Sequence, residues 1–359
     1  VIPCFLLAIS YVAAADSAIE RLVEETGINE GPTPVRDLPG WREPHKIIVR
    51  DYAGLYDDVA GTTPGVELIK VRTEAEAISY ASDADAIIGF CSDRIVAAAP
   101  RVMWIQIFGA GAERCLAVER IGNEEILLTN MQKMSSPVIA EHVTALVLGL
   151  ARGLAPFSKA MPEGGWLRGG EISGGLQSIG GKTMLIVGLG GIGTEVARRA
   201  AALDMRVVAT RRSSREGPDF VEYVGLADEL HELATRADYI VNALPLTAET
   251  TGIFNSDFFA AAKRGAYFIN VGRGKSVVTA DLVAALESGQ IAGAGLDVTD
   301  PEPLPAEHAL WQMSNVIITP HVAGRGGNRI RHNILAKENL RRFVAGEALL
   351  NAVDPKLGY

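Results

Sequence analysis

From Lys46 onward, short apolar runs alternate with longer mixed segments. The runs KIIVR (46–50), VELIKV (66–71), AIIGF (86–90), VMWIQIF (102–108) and EILLTN (125–130) are brief, branched-residue-rich and bounded by turn residues. Each reads as a buried strand. The segments between them are long enough for crossovers, so a parallel sheet is expected.

The stretch SSPVIAEHVTALVLGLARG (135–153) changes the period. Ser136 suits an N-cap, Pro137 the first helical position and Gly153 the stop. This helix is apolar nearly all round, which predicts burial, with His142 as a structural or interdomain residue. A second series follows: TMLIVG (183–188), RVVAT (206–210), YIVNAL (239–244), YFINVG (267–272), GAGLDV (293–298) and NVIITP (315–320). Six strands with intervening helices predict a doubly wound dinucleotide-binding sheet. A last helix, about 328–345 with Gly346 as its stop, can return to the first domain.

The expected fold is therefore α/β, with two doubly wound parallel-sheet domains. A Rossmann cofactor domain (146–324) is inserted in a flavodoxin-like substrate domain (46–145 plus 325–359). Residues 16–45, with the turn signals GPTP and LPGW, read as an N-terminal arm. The uncharged run 1–15 is too short for a membrane span of ~20 residues and has the apolar core and small residues of an export signal. The alternative is an apolar helix packed on the body. A real leader would make the protein periplasmic or secreted; otherwise it is cytoplasmic.

The net charge of −9 argues against nucleic acid as a partner, and no membrane association is expected of the mature chain. Cys4, Cys91 and Cys115 form no CxxC pair, so they read as unpaired thiols, and no metal site is expected.

Gly188, Gly190 and Gly193 make GxGxxG between a strand and a helix. The first allows the tight turn, the second lets a pyrophosphate approach, and the third packs helix on strand. At the end of the next strand an acidic residue would bind the ribose of NAD. Thr210, Arg211 and Arg212 stand there, with Arg215 close by. Guanidinium groups can grip the extra phosphate of NADP, so NADP is the expected cofactor, with NAD as the alternative. The competing reading is a solvated surface cluster. Three loops at strand ends then carry Arg273, a carboxylate (Asp297, Asp300 or Glu302) and His321. That set suits a 2-oxo acid: Arg binds the carboxylate, His gives a proton to the carbonyl oxygen, and the acid orients the imidazole.

Six ordered motifs, LIVGLGGIGTEVA, LPLTAETTGIFN, INVGRGKSVV, AGAGLDVTDPEPLP, NVIITPHVAG and NLRRFVAGEALLNAVDPKLGY, resemble the D-isomer-specific 2-hydroxyacid dehydrogenases. The resemblance spans about 46–359 and is to NADP-preferring members acting on glyoxylate or hydroxypyruvate. It implies catalytic roles for Arg273, Glu302 and His321. It implies cofactor contacts at Gly191, Ile192, Leu244, Val271, Gly272, Asp297 and Gly324, with Arg211 on the usual Asp. It implies that Ala110 and Gly111 offer amides to the substrate carboxylate. Glu113-Arg114 replaces the family's Asp-Asn after that loop. It also implies a homodimer through the cofactor domains. The expected activity is reversible NADP(H)-linked reduction of a small 2-oxo acid to the D-2-hydroxy acid. Formate oxidation is disfavoured, because its relatives carry Gln where Glu302 stands. A nucleotide-sensing corepressor on the same fold is the alternative, disfavoured by the intact trio.

Overall fold

The computed structural model describes residues 18–168, 175–327 and 329–358. The expected leader lies outside them. The chain forms two compact units, one from the chain up to Met134 and from Gly327 onward, the other from Ser135 to Gly326.

The first unit holds β1 (Lys46–Arg50), β2 (Glu67–Val71), β3 (Ala86–Ile88), β4 (Trp104–Gln106) and β5 (Leu127–Thr129). They lie in the order β2-β1-β3-β4-β5, all parallel. This is the flavodoxin-like order. Along β1, Ile48 enters one core cluster while Ile47 and Val49 enter the other. Burial on both faces explains the continuous apolar run. The helix Arg329–Ala345 does return to this unit, placing Leu335, Leu340 and Phe343 in the core beside Trp104. Its buried Asn339 donates to Gln106 Oε1 (2.9 Å) and to the Leu350 carbonyl (3.0 Å), and accepts from the Leu350 amide (2.8 Å).

The second unit holds β6 (Thr183–Val187), β7 (Arg206–Thr210), β8 (Tyr223–Gly225), β9 (Tyr239–Asn242), β10 (Ala266–Asn270), β11 (Ile291–Leu296) and β12 (Val316–Ile318). The order is β12-β11-β10-β9-β6-β7-β8, all parallel. This is the doubly wound nucleotide-binding arrangement with one added strand at the β12 edge. Met184 and Ile186 face one cluster, and Leu185 and Val187 the other.

Four expectations are corrected. The divide at 145/146 would cut the helix Ser136–Ala151, which packs as a whole in the second unit: Leu146 lies against Gly295 and Gly149 against Ile317. Its N-cap position falls on Ser135, not Ser136. Residues of the expected arm instead join the first core, through Leu22, Ile28 and Val35. The main chain backs this, with Gly31 N bonded to Leu349 O (2.7 Å). Finally, Cys91 and Cys115 are paired as a disulfide, with Cα atoms 5.7 Å apart. Their 24-residue separation gave no sign that the β3 loop and the short helix Glu113–Leu116 are neighbours.

Asp85, fully buried before β3, accepts from the His45 amide (2.8 Å) and lies 3.0 Å from Arg42 and 3.3 Å from Arg101. Burial pushes its pKa up, but the amides and the two guanidiniums outweigh it and the net shift is downward. A lowered folded-state pKa stabilises above the ordinary Asp value of about 4 and loses that contribution as pH falls through the lowered value. Asp85→Asn should cost about 1–3 kcal/mol at pH 7. In urea unfolding, the gap to the parent protein should narrow as pH falls below about 4.

Candidate active site

The glycine turn shows three separate demands. Gly188 has φ +98°, and a Cβ there would press on Leu244 and the Ala243 carbonyl at 3.0 and 3.1 Å. On Gly193 a Cβ would collide with the Gly188 carbonyl oxygen. A Cβ on Gly190, by contrast, meets nothing within 4 Å. The first and third glycines are required by the protein itself. The second leaves open space where a phosphate can approach the start of the helix Gly191–Ala202. Gly191 and Ile192 lie in that first turn, whose amides have no partner within the helix.

At the end of β7, the Arg211 amide bonds the Gly225 carbonyl (2.9 Å). Its side-chain Nε donates to the Leu189 carbonyl (3.1 Å). The guanidinium is thus pinned to the rim of the glycine turn. Arg212 is exposed beside it. Thr210 is buried, and its carbonyl holds the Leu189 amide (2.9 Å), so it supports the turn through its main chain. Arg215 is instead paired with Glu229 at 2.6 Å, and this contact, with the Leu226 amide and the Tyr223 hydroxyl, pulls the Glu229 carboxyl down to about 2.

Beyond β10, Arg273 donates Nη1 to the Gly272 carbonyl (2.8 Å). Its own carbonyl accepts from Ser276 Oγ (2.6 Å) and Asn270 Nδ2 (3.1 Å). Asn242 Nδ2 bonds both Asn270 Oδ1 (2.9 Å) and Ser276 Oγ (2.7 Å), and its Oδ1 accepts from the Leu244 amide (3.0 Å). This buried network of Asn242, Asn270 and Ser276 ties the Leu244 and Arg273 loops together. Sequence reasoning missed it, though asparagine ending two apolar strands was the available signal. Gly272 fits closely against Leu244 O and Asn242, while Val271 packs in the core. Gly274 has no room for a Cβ, which would collide with the Thr299 carbonyl. The Arg273 loop is therefore seated on the loop that leads to Glu302.

His321 Nδ1 lies 2.7 Å from Glu302 Oε1. A carboxylate only accepts, so Nδ1 carries a proton and Nε2 is the nitrogen left for chemistry. The His321 backbone has φ +52°, a left-handed conformation that strains a non-glycine residue. The buried Asp297 holds it there. The Asp297 carbonyl accepts from the His321 amide (2.8 Å). Its carboxylate accepts from Thr319 Oγ1 (2.6 Å), Val322 N (2.9 Å) and Ala323 N (2.9 Å). Asp297, expected to contact cofactor, thus serves the His321 turn. His142 Nε2 lies 2.9 Å from Thr319 Oγ1 and backs the same cluster. Gly324 follows the turn, near Ser135 and Ile139.

Ala110 and Gly111 belong to the first unit, in the loop after β4. Asn130 Nδ2 holds the Ala110 carbonyl (2.7 Å), and the Met131 amide holds that of Gly109 (3.0 Å). Among the described residues, no group of three or more His, Cys, Asp or Glu could hold a metal ion.

A profile of the D-isomer specific 2-hydroxyacid dehydrogenase NAD binding domain matches residues 144–323. A glyoxylate reductase of Pyrococcus furiosus is 35% identical over 278 residues, 74% of this chain and 81% of that one. A crystallised family member from Xanthobacter autotrophicus, in complex with NADPH and MES, is 29% identical. It superposes with a TM-score of 0.74, covering 89% of this chain and 100% of its own. An NADPH-dependent glyoxylate/hydroxypyruvate reductase from Sinorhizobium meliloti, with NADP and sulfate, is 28% identical with a TM-score of 0.75. It covers 88% of this chain and 100% of its own. The protein belongs to the D-isomer-specific 2-hydroxyacid dehydrogenase family.

The glycine geometry separates two substitutions. Gly193→Ala should lower the melting temperature by several degrees, about 2–4 °C per kcal/mol lost. Gly190→Ala should leave melting nearly unchanged and weaken dinucleotide binding about tenfold or more, measured by cofactor fluorescence titration. Equal melting losses in both variants would refute the distinction.

Proposed function

We propose that the chain reduces a small 2-oxo acid to the D-2-hydroxy acid with NADPH, and runs the reaction in reverse with NADP. The Glu302–His321 pair at 2.7 Å carries this reading, because it leaves Nε2 as the proton-transfer atom. Bound NADPH supplies the hydride to the carbonyl carbon. His321 gives its Nε2 proton to the carbonyl oxygen as that oxygen becomes a hydroxyl. Glu302 stabilises the imidazolium before transfer and keeps the ring oriented. Arg273 pairs with the substrate carboxylate and draws charge from its carbonyl. In the first unit, the loop of Ala110 and Gly111 carries amides suited to a carboxylate. The cofactor preference rests on Arg211, which stands at the glycine turn where an acid would repel a 2′-phosphate. The names and bound NADPH or NADP of the relatives support both choices.

His321→Asn should lower kcat by ~10²–10⁴ with NADPH affinity nearly kept. Arg211→Asp should cut the NADPH-over-NADH ratio of kcat/KM by about tenfold or more, at least ~1.4 kcal/mol. Steady-state assays with glyoxylate and hydroxypyruvate check both. Cofactor binding without turnover of any 2-oxo acid would favour a sensor instead.

The same reading includes a homodimer through the second unit. Leu154, Met161 and Trp166 are 53%, 73% and 94% exposed there, large apolar side chains close in sequence. Replacing Leu154 and Met161 by Glu should convert a dimer to monomers in light scattering after size exclusion. A parent protein that is monomeric at micromolar concentration would refute this part.

A further inference from the structure

Beyond the strand ends of the first sheet, two arginines lack acidic partners: Arg50, at the end of β1, and Arg329, exposed at the start of the last helix and beside Gly54. Arg50 closes β1, at the point where the order β2-β1-β3 reverses direction. Open α/β sheets take ligands at such a switch point, outside the carboxyl ends of the strands. The Arg50 guanidinium lies 5.0 Å from the centre of the Phe90 ring and 5.9 Å from that of Tyr52. Tyr52 in turn packs against Phe108 in a tilted pair, 4.9 Å between centres. Phe108 leads directly into the loop of Ala110 and Gly111.

Two glycines clear the space for these cations. Gly89 has φ +103°, and a Cβ there would lie 2.6 Å from Arg50 Cβ and 2.7 Å from Phe108 Cε2. Gly54 has φ +77°, and a Cβ there would lie 2.5 Å from Arg329 Nη2. The nearby carboxylates point elsewhere. Asp51 lies 3.5 Å from Lys70 and 3.7 Å from Arg72, and Asp57 lies 3.2 Å from Lys70. Asp58 accepts from Asn333 (2.5 Å). Among the described residues neither Arg50 nor Arg329 has an ion pair, and Arg50 Nη1 donates to the Gly89 carbonyl (3.5 Å). Two cations without ion pairs in a chain of net charge −9, Arg50 beside aromatic rings, suit an anionic group brought in by a ligand.

We propose that Arg50 and Arg329 form a subsite for a second anionic group on the substrate, so that the preferred 2-oxo acids carry a distal carboxylate or phosphate. The inference rests on the reductase reading above, with the 110–111 loop taking the 2-oxo carboxylate. Arg50 binds the distal group, the aromatic rings enclose the carbon between, and Arg329 adds a second charge from the solvent side.

The test compares kcat/KM with NADPH for glyoxylate, hydroxypyruvate, oxaloacetate and 3-phosphohydroxypyruvate. The parent enzyme should favour at least one dianionic substrate over glyoxylate by about tenfold or more. The better of the two tells carboxylate from phosphate. Arg50→Gln and, separately, Arg329→Gln should each shrink that ratio, the former about tenfold. Arg50→Lys, which keeps the charge, should restore part of it, and melting curves should show that the variants are folded. Glyoxylate turnover without a dianion preference, or a ratio untouched by Arg50→Gln in a folded protein, overturns the subsite alone. No turnover of any of the four overturns the reductase reading and the subsite with it.

Discussion

The site in the second unit depends on one buried carboxylate. Asp297 accepts from a threonine hydroxyl and two successive amides, and its carbonyl takes a third. Those bonds hold His321 at φ +52°, a conformation costing a non-glycine residue of order 1–3 kcal/mol. Charge-assisted hydrogen bonds are roughly twice as strong as neutral ones, so three to one buried carboxylate can outweigh the strain. The His321 turn is thereby held by the protein's own bonds. Glu302 then needs only to choose the tautomer.

Much of the fold was legible because parallel strands buried on both faces must be apolar throughout. Among the described residues, eleven of the twelve strands announce themselves as such runs. The exception is β8, three residues at a sheet edge whose Tyr223 is exposed, too short for any period to register. The domain divide was misplaced because an apolar helix shows that it is buried without showing in which core. The arm was read from its turn residues, while its anchoring by Leu22, Ile28 and Val35 depends on contacts with the far end of the chain. The Cys91–Cys115 pairing is equally non-local.

The site was legible where one residue type has one use. The glycine turn, Arg273, Glu302 and His321 stand in loops beyond strand ends of one sheet. What the sequence hid was division of labour. Arg211 and Arg215 look alike in RRSSR, yet one lies on the glycine turn and the other is consumed by Glu229. Asp297 looked like a ligand contact, and its hydrogen bonds also make it the anchor of the His321 turn. Asn242, Asn270 and Ser276 looked like ordinary polar strand ends, and only their mutual distances reveal one connected support.

The seat of Gly274 on the Thr299 carbonyl has a mechanical consequence. With no side chain between them, the backbone bearing the guanidinium and the backbone leading to the acid are geared together. The position of each loop is therefore tied to that of the other. A wedge of even one methyl group at Gly274 would collide with the Thr299 carbonyl and displace both loops at once.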